Sequence, residues 1–445
     1  MKDLLHDAPE GALGAHEARP GAFDFLFKTA IVLSVIVLVG LALAFGPARD
    51  LDGSPWLMTL AIVMGAIGLA YGLCALVFAL RHRPVPTLAP DLLPRCTVIV
   101  PAYNEGAMVR VALLSALESR YPKDRLEIIA IDDGSRDDTF AHIQAVADAH
   151  PGRVIAIRKP KNEGKRAALR DGFLRATGEV VVTVDSDSKL DPEALAAIVS
   201  PIAVDRRVSA VAGKVLVLNR YEGLLTRLMA SRFFITFDFT RAAQSRFGTV
   251  LCCPGALAAY RREAVLRVLP AWSRQSFLGS PCTIGEDRAL TTWLLRDGGR
   301  SVYQSSAVVR TLVPTTLRGT AKMLLRWERG DIRENLVLFP WLLANLRGDR
   351  LYALVEVVLG LVQFPIGALI LASMLGHFVE HPLHLFHLLA FVCVAAFAQS
   401  LLCLRSERSS DFLYNVAYSL FAFVGLQWVY PYSFLTVRDG RWMTR

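Results

Sequence analysis

The sequence has few cysteines, and none are spaced as metal sites and redox motifs require. There are seven cysteines in 445 residues, an odd number, and no C-x-x-C occurs. Such a set supports neither a disulfide framework nor a zinc site. Cys252, Cys253 and Cys282 are therefore expected to be reduced thiols in the cytosol.

Charged residues are also scarce, which excludes an ordinary soluble enzyme. They make up 20% of the chain, while 53% of the residues are hydrophobic and the mean hydropathy is +0.39. A bilayer crossing needs about 20 apolar residues. Five stretches reach or approach that length, at 29–46, 56–80, 351–376, 382–404 and 412–437.

Nucleic-acid recognition motifs are absent as well. The net charge of +9 therefore points to anionic membrane lipids and to a phosphorylated substrate, and we expect no nucleic-acid partner. The sequence leaves the oligomeric state open.

A transporter is disfavoured, because Glu356 is the only acid within a predicted span.

Arginines give the orientation of the chain. Arg81 and Arg83 directly follow the second span, so the positive-inside rule places the middle of the chain in the cytosol, at the inner (plasma) membrane. Arg438 in the tail fits this rule only if the last segment does not cross cleanly, and Pro431 is expected to split it. The predicted organisation is a polar tail at 1–28, two membrane helices within 29–80, a soluble domain at 94–316, amphipathic interfacial helices at 317–350, three or four membrane segments within 351–437 and a short tail at 438–445.

The soluble domain alternates strand and helix patterns. Strands are predicted at 96–102, 126–132, 153–158 and 179–185, and helices at 107–120, 137–150, 165–177 and 192–201. Short apolar strands separated by helices predict a parallel sheet covered on both faces. In such sheets ligands bind beyond the carboxyl ends of the strands.

Polar side chains follow the predicted strands at this edge. Asn104 and Glu105 follow the first strand, and Asp133 follows the second. Lys165 opens the helix after the third strand, where a phosphate could bind. A solvated basic helix face explains this segment equally well.

The fourth strand ends in VVVTVDSDS, with Asp185 and Asp187 at its tip. Residues two apart on a strand point to the same side, so both carboxylates are expected to face one ion. Mg²⁺ or Mn²⁺ suits two carboxylates completed by substrate phosphates. A helix cap is the alternative, and it explains Asp191 but not the pair.

Two later motifs are ambiguous by themselves. IGEDRALTTWLL at 284–295 opens a helix with two acids, which are ordinary partners of a helix dipole. Around RWERG at 326–330, four basic residues recur at helical spacing and predict a helix lying on an anionic membrane. They are Lys322, Arg326, Arg329 and Arg333.

Taken in order, these motifs resemble the membrane-integrated family 2 glycosyltransferases of the cellulose synthase superfamily, above all hyaluronan synthases and nodulation chitooligosaccharide synthases. The donor half carries VIVPAYNEG, DDGSRDDT, NEGKRAAL and VDSDS, at 98–106, 132–139, 162–169 and 184–188. The acceptor half carries LCCPGALAAYRREAV, FLGSPCTIGEDRALT and LLRWERG, at 251–265, 277–291 and 324–330. The tail VRDGRWMTR resembles the family's W-G-T-R ending.

The resemblance implies a GT-A fold, α/β and Rossmann-like, inserted between transmembrane helices. It also implies roles for individual residues. The donor would be bound by Asn104, Glu105, Asp133, Lys165, Arg166 and Asp185, and a Mg²⁺ or Mn²⁺ ion would be held by Asp185 and Asp187. The catalytic residues would be Asp287, as general base, and Glu286. The acceptor and its channel would be served by Arg326, Trp327, Cys253 and Gly255.

The expected activity is inverting polymerisation from a UDP-sugar, with UDP-GlcNAc favoured, alone or with a second donor, and export of the glycan. Transfer of a single sugar to a membrane lipid is the alternative. A catalytically inactive scaffold should have lost Asp185, Asp187 or Asp287, and all three are present. Met323 and Leu324 stand where close relatives carry Gln-Gln, so we expect weaker glycan contacts and shorter products.

Overall fold

The computed structural model describes residues 22–44, 55–382, 384–407 and 410–440. The first 21 residues of the predicted polar tail lie outside this set, and so do residues 441–445 of the W-x-T-R-like ending.

An eight-stranded sheet forms the centre of the middle region. Its strands lie in the order β3-β2-β1-β4-β7-β6-β10-β5, and β8 and β9 form a separate hairpin. Their bounds are β1 Cys96–Ala102, β2 Leu126–Asp132, β3 Val154–Arg158, β4 Val180–Thr183, β5 Ser188–Leu190, β6 Val208–Val217, β7 Ala258–Arg261, β8 Ser276–Phe277, β9 Ser280–Pro281 and β10 Arg300–Thr311.

The sheet is mixed, which corrects the prediction of a parallel sheet. The first four strands in that order are parallel, as are β6 and β10. However, β7 runs antiparallel to both β4 and β6, and β5 runs antiparallel to β10. The predicted bounds of β1 and β2 are confirmed, whereas β4 ends two residues earlier than predicted.

Helices cover both faces of the sheet, and strand alternation divides the core between them. Every residue of β1 is buried. Val98 and Val100 join one apolar cluster, whereas Ile99 joins the cluster on the opposite face with Phe173 and Trp272. The helices are α3 Val109–Leu117, α4 Thr139–Ala149, α5 Lys165–Arg175, α6 Ala194–Val204, α7 Leu224–Phe234, α8 Thr240–Ser245, α9 Arg262–Ser273 and α10 Glu286–Arg296, with a π-helical turn at Ile235–Phe239 between α7 and α8. We call residues 96–311 the sheet domain.

Long apolar helices flank the sheet domain. They are α1 Ala22–Ala44, α2 Pro55–Arg81, α12 Gly348–Glu380 and α13 His384–Glu407, and α11 Leu317–Ala344 connects the domain to α12. Within the described residues, Phe23–Leu41, Ile62–Arg81 and Gly348–Leu369 are long and apolar enough to cross a membrane. The apolar part of α13, Leu385–Phe397, is shorter.

The last apolar segment is bent. It consists of a 3₁₀ turn at Ser410–Leu413, α14 Tyr414–Gly425 and α15 Val429–Leu435. The chain bends by 51° between Ser410–Gly425 and Val429–Leu435. A split was expected at Pro431. The break lies upstream of that residue, and Pro431 instead occupies the first turn of α15, where proline is tolerated.

A buried ionic network ties the first apolar helix to the sheet domain. Lys28 Nζ lies 2.8 Å from Asp24 Oδ2 and 2.7 Å from Asp411 Oδ1. Arg227 of α7 pairs with Asp24, and Arg220 Nη2 lies 2.9 Å from Asp411 Oδ2. Asp24, Lys28 and Asp411, which lie outside the domain, are at most 8% exposed. The network therefore fixes where α1 and the α13–α14 connection meet the domain.

The end of the described chain also returns to the sheet domain. Arg329 Nε donates to Thr436 Oγ1 at 3.0 Å, and its Nη1 lies 3.4 Å from Asp439 Oδ2. Thr283 Oγ1 donates to the carbonyl of Gly440 at 2.5 Å. Both ends of the bent α14–α15 segment are therefore on the side of the sheet domain.

Lys28→Met is expected to destabilise the protein, because it leaves two buried carboxylates with one cation fewer. Breaking a buried pair costs on the order of 3 kcal/mol, so the thermal midpoint of the detergent-purified protein should fall by several degrees. Arg120→Ala is the matched control. It breaks the exposed pair with Glu193, whose side chains are 75% and 53% exposed, and exposed pairs contribute less than about 1 kcal/mol. Equal losses in both variants would contradict a structural role for the network.

Candidate active site

The loops after β1 and β2 interlock at the carboxyl edge of the sheet. The backbone N–H of Asn104 donates to Ser135 Oγ at 2.9 Å, and Asn104 Oδ1 accepts from the N–H of Arg136 at 3.0 Å. The N–H of Glu105 donates to Thr139 Oγ1 at 2.8 Å. These contacts hold Asn104 and Glu105 in a fixed loop at the edge where the sequence predicted a ligand.

Asp133 connects this edge to the loop before α5. Its carboxylate accepts from the backbone N–H groups of Gly164 at 2.7 Å and Glu163 at 3.2 Å. Lys159 Nζ lies 3.0 Å from Asp133 Oδ1. Asp133 is 3% exposed, so its charge is satisfied within the protein and it shapes the loop that precedes Lys165.

Lys165 is the centre of the site, because it joins acids of two motifs, Asp185 and Glu286, that lie 101 residues apart. Its ammonium group contacts Asp185 on one side and Glu286 Oε1, at 3.0 Å, on the other. Burial alone would lower the pKa of Lys165, but the charges of Asp185, Glu286 and Asp287 hold it above its ordinary value. The lysine is therefore a permanent cation between the two motifs.

The pKa values of the two acids of α10 are displaced in opposite directions. Burial would raise the pKa of Glu286, but the charge of Lys165 and its hydrogen bond hold it below the ordinary value. Burial and the charge of Glu286 raise the pKa of Asp287, against the opposing charge of Lys165. Neighbouring carboxyls with pKa values displaced in opposite directions are suited to different tasks, and the group with the raised pKa is the better proton acceptor near neutral pH.

Asp185 and Asp187 lie in a turn, not on a strand. Because β4 ends at Thr183, the strand alternation assumed for these residues does not apply. The carbonyl of Asp185 instead accepts the N–H of Ser188 at 3.0 Å and closes a turn before β5. Thr311 Oγ1 donates to Asp187 Oδ1 at 3.2 Å.

The two turn carboxylates influence each other. Burial and the charge of Asp185 raise the pKa of Asp187 to about 6, so a further cation beside them would be favourable. Among the described residues, no cluster of three or more His, Cys, Asp or Glu side chains is arranged to hold a metal. Two carboxylates fit a Mg²⁺- or Mn²⁺-type site that is completed by substrate phosphates.

The segment Cys252–Gly255 forms the wall beside Asp287. Asp287 Oδ2 accepts the N–H of Gly255 at 3.1 Å and lies 3.8 Å from Cys252 Sγ. The sequence assigned Cys253 to the acceptor side, but Cys253 is fully buried, and its N–H donates to Thr291 Oγ1 at 3.0 Å. Cys252 is therefore the cysteine that faces the site, and burial together with the charge of Asp287 raises the pKa of its thiol.

Gly255 lies so close to the ionic centre that a side chain would disturb it. A Cβ atom at this position would lie 2.6 Å from Lys165 Nζ and 3.1 Å from Asp185 Oδ1. The close approach of the backbone to the Lys165–Asp185 pair explains why glycine suits this position.

Arg166 does not lie in an open donor cleft, which corrects its predicted role. It is 7% exposed, and its Nη1 donates to the carbonyl of Trp272 at 2.7 Å. Its guanidinium also lies 5.1 Å from the Trp272 ring centroid. The same tryptophan donates from Nε1 to the carbonyl of Glu286 at 2.9 Å, so Arg166 braces α5 against the segment that begins α10.

Helix α11 brings Arg326 and Trp327 towards the acids. The charge of Arg326 contributes to the lowered pKa of Glu286. The Trp327 ring packs beside Phe233 and Phe237, with centroid separations of 5.7 and 5.6 Å. These aromatic contacts hold Trp327 beside the site.

The two residues of α11 that stand where relatives carry Gln-Gln do not line an open path. Met323 and Leu324 are 5% and 3% exposed and belong to the apolar core. Glutamines there would be buried among apolar side chains, so the expectation that amides at these positions would bind a passing glycan is wrong.

The basic stripe on α11 is not a membrane-facing surface, because two of its four members are buried. Arg329 and Arg333 are 1% and 3% exposed. Arg329 holds the returning tail, while Arg333 donates from Nη2 to the carbonyl of Ile284 at 2.7 Å and from Nε to Glu334 Oε1 at 3.0 Å.

A glycine pair brings α11 against the start of α10. A Cβ at Gly285 would lie 3.2 Å from the Cα of Gly330, which is closer than an ordinary contact, so a glycine at 285 permits this approach directly before Glu286 and Asp287. Gly285 also has φ +66°, which favours glycine. The sequence showed the glycines of the two motifs, but nothing in it indicated that they meet.

Known proteins are similar to this chain in sequence. A family model described as Glycosyl transferase family 2 matches residues 97–269. The N-acetylglucosaminyltransferase of Azorhizobium caulinodans is 31% identical over 357 residues, covering 80% of this chain and 89% of that protein. A hyaluronan synthase of Streptococcus pyogenes is 32% identical over 424 residues, covering 94% and 97%.

A solved structure shows the same fold. A mannosyltransferase from Pyrobaculum calidifontis, in complex with GDP-Man and Mn²⁺, aligns with a TM-score of 0.53 over 82% of this chain and 98% of that one, at 23% identity. The mixed sheet and its covering helices therefore have the GT-A fold, as the resemblance implied.

Gly255→Ala is expected to leave the protein folded, because the flexible end of Lys165 can move aside, but to separate Lys165 from Asp185. Displacing a site group by about 1 Å can cost roughly 100-fold in rate, and we expect a loss of that order in the turnover of nucleotide-sugar. Gly223→Ala is the control, since no atom lies within 4 Å of a Cβ there. Unchanged turnover in Gly255→Ala would show that the lysine contact is dispensable.

Proposed function

Because the chain belongs to glycosyltransferase family 2 and therefore transfers sugar from a nucleotide-sugar to a glycan acceptor, we propose that it is a membrane-embedded, inverting polysaccharide synthase. The proposed donor is UDP-GlcNAc, and the product leaves across the membrane. The observation that carries this proposal is the contact of Gly285 with Gly330. It sets the acids of α10 against the helix that bears Trp327 and that leads directly to the apolar helix α12.

The donor assignment is supported by the relatives and by the ionic centre. Relatives covering most of this chain are named N-acetylglucosaminyltransferases. Asn104, Glu105 and Asp133 lie in the interlocked loops at the carboxyl edge of the sheet and are proposed to border the nucleotide. Lys165 is a permanent cation that could stabilise the departing diphosphate.

Asp185 and Asp187 are proposed to hold Mg²⁺ or Mn²⁺ together with the donor phosphates. Such an ion, when bound, neutralises the charge that develops on the leaving UDP. Lys165, which contacts Asp185, would contribute positive charge to the same leaving group. The Thr311 hydroxyl orients Asp187 through its hydrogen bond.

Asp287 is proposed as the general base. Its carboxylate is oriented by the N–H groups of Gly255 and Arg288, at 3.1 and 2.8 Å. It would remove the proton from the acceptor hydroxyl as that oxygen attacks the anomeric carbon, while the carbon–oxygen bond to UDP breaks on the opposite face. Glu286, ion-paired with Lys165, stays ionised and holds the lysine in place.

The indole of Trp327 is proposed to stack on the acceptor sugar and Arg326 to donate to its oxygens. A flat apolar surface beside a guanidinium tolerates a sliding glycan, because neither contact depends on one deep pocket. Gly255 and Cys252 would form the opposite wall, next to the base.

We propose that α1, α2, α12 and α13 cross the membrane and that α14–α15 remains on the catalytic side. The support is the pair of contacts at the ends of the bent segment, from Asp411 to Arg220 and from Thr436 to Arg329. Arg81 at the end of α2 and Arg83 just after it are exposed, and they favour a cytosolic catalytic domain at the inner membrane and contact with anionic lipids. Arg438 is then on the cytosolic side, as the positive-inside rule requires.

The proposed function is tested by incubating the purified protein with labelled UDP-GlcNAc, other UDP-sugars singly, and Mg²⁺ or Mn²⁺. We expect UDP-GlcNAc to yield a product of many sugars, synthesis to stop in excess chelator, and Trp327→Ala to reduce synthesis sharply while UDP binding survives. A product of one sugar on a lipid would instead establish the single-transfer alternative. Full synthesis in chelator would exclude the metal assignment.

The base assignment predicts a specific pH profile. Asp287→Asn should reduce kcat by about 10²–10⁴-fold with donor binding retained. Activity requires ionised Asp287, so it is lost as the pH falls through a pKa that lies above the ordinary value of about 3.9. Glu286→Gln removes the negative charge that raises this pKa, and the acid limb of kcat/KM should move to lower pH.

Asp297→Asn, at the end of α10, is the control for this shift, because Asp297 pairs with Arg267 away from the site. If the acid limb stays in place in Glu286→Gln, the titrating group is not Asp287.

A further inference from the structure

A π-helical turn at Ile235–Phe239 interrupts the helical segment that runs from α7 into α8. Thr240 closes the wide turn, because its backbone N–H and its Oγ1 both donate to the carbonyl of Ile235, the hydroxyl at 2.9 Å. Turns of this kind are rare and are frequent at functional sites. The residues proposed to bind the donor, the metal and the acceptor proton all lie outside this turn.

Phe237 of the turn packs against the proposed acceptor surface. It is 9% exposed, and its ring centroid lies 5.6 Å from that of Trp327 and 4.8 Å from that of Phe233. The Phe237 and Trp327 rings meet edge to face, at 87°, which is a favourable aromatic geometry. On its other side, Phe237 is covered by the Arg241 guanidinium at 4.2 Å, and Arg241 Nε donates to the carbonyl of Cys252 at 2.8 Å. Phe237 therefore connects the indole to the wall beside the proposed base.

Asp238, the next residue, anchors the turn to the sheet. Its Oδ1 accepts from the hydroxyl of Tyr303 on β10 at 2.9 Å, and its Oδ2 lies 2.7 Å from Lys214 Nζ on β6. Tyr303 is 2% exposed, and the side chains of Lys214 and Asp238 are 14% and 15% exposed. Because β6 and β10 are hydrogen-bonded neighbours, the carboxylate is held at two points of one sheet.

Lys214 is an unusual residue for its strand. It interrupts the otherwise apolar β6, VSAVAGKVLV, on the face where Ala210 and Ala212 join the core. A lysine is seldom buried on such a face without an opposite charge, because burying a charge is costly unless it is paired. Asp238 supplies an opposite charge, so the strand and the turn are matched to each other.

We propose that Asp238 is a positioning residue for the acceptor, because its contacts with Lys214 and Tyr303 hold Phe237 against Trp327. Adjacent residues of a helix point about 100° apart, so fixing Asp238 against the sheet also fixes the direction of Phe237. The inference rests on the proposed function, in which the acceptor sugar stacks on Trp327. Asp238 acts through Phe237 and not by contact with the sugar.

Asp238→Ala removes both contacts with the sheet and should weaken acceptor binding. The full-length purified protein is given labelled UDP-GlcNAc and a β-linked N-acetylglucosamine tetramer, and KM is measured for each. We expect KM for the tetramer to rise about two- to tenfold, the factor that one aromatic contact contributes, and KM for UDP-GlcNAc to stay unchanged. A partial loss of folded protein lowers the apparent kcat but neither KM, so the split separates positioning from general destabilisation.

With UDP-GlcNAc alone, Asp238→Ala should form shorter products than the wild type, because a chain that is held less firmly is released earlier. Product length is therefore the readout if the wild type polymerises without extending the tetramer. Equal lengths in that case would contradict the inference.

Phe237→Leu tests whether the effect of Asp238 passes through the aromatic ring. Residues that act as one unit are not additive. The double variant, Asp238→Ala with Phe237→Leu, should therefore impair the acceptor no more than the more severe single variant. Effects that multiply in the double variant would show that Asp238 does not act through Phe237.

Tyr303→Phe is a milder variant, because it keeps the pair of Asp238 with Lys214. Tyr121→Phe is its matched control. The Tyr121 side chain is also buried, at 5% exposure, and its hydroxyl donates to the carbonyl of Pro94 at 2.6 Å, before the start of β1 and away from the carboxyl edge. Each variant removes one hydroxyl hydrogen bond of a buried tyrosine, but only Tyr303→Phe should impair the acceptor.

Two results would overturn the inference and leave the proposed function intact. Asp238→Ala and Tyr303→Phe could handle the acceptor as the wild type does, or Asp238→Ala could raise KM for UDP-GlcNAc by the same factor as KM for the tetramer. If the wild type transfers UDP-GlcNAc neither to the tetramer nor into a polymer, the proposed function fails, and the inference fails with it.

Discussion

The ionic contact of Lys165 with Asp185 and Glu286 is the interaction on which the site depends. Without a cation at this point, the acids at the turn after β4 and at the start of α10 would be buried together and would repel one another. With it, two sequence motifs whose acids lie 101 residues apart form one cleft. The lysine also keeps Glu286 ionised, and burial together with the charge of Glu286 keeps the pKa of Asp287 raised. A nucleotide diphosphate that enters the cleft therefore meets a cation that already has anionic partners and must compete with them.

Much of the sheet could be predicted from the sequence, because β1 and β2 are mostly apolar runs that are followed by polar loop residues. The antiparallel strand β7 could not be predicted in the same way. Its four residues, Ala258–Arg261, carry no distinct periodicity, and their direction is set by pairing with β4 and β6. The approximate edge of the site was predictable for the same reason as the strands. Its inner arrangement was not, since choosing between adjacent Cys252 and Cys253 requires knowing which side of the segment α10 covers.

The arginines of α11 show why a charge pattern is ambiguous. Lys322, Arg326, Arg329 and Arg333 share one spacing, and the sequence suggested one common environment. In the structure, Arg329 and Arg333 are enclosed because the returning tail and the loop before α10 supply their acceptors. Those partners lie about 50 to 110 positions away in the chain, so local pattern could not reveal them. A separation of 45 positions likewise concealed the meeting of Gly285 and Gly330, which sets the spacing between the start of α10 and α11.

The contacts of the network around Lys28 can form only in a fixed order while the protein is being synthesised. Lys28 and Asp411 are 383 residues apart, so at about 5–20 residues per second the ribosome reaches Asp411 roughly 20 to 80 seconds after Lys28. During that interval Lys28 has Asp24, four residues earlier on the same helix, as its partner. Arg227 becomes available next, and Asp411 arrives last. The first helix can thus enter the lipid bilayer with its charges locally neutralised, and the contact that locks it to the finished enzyme closes only when nearly the whole chain has been made.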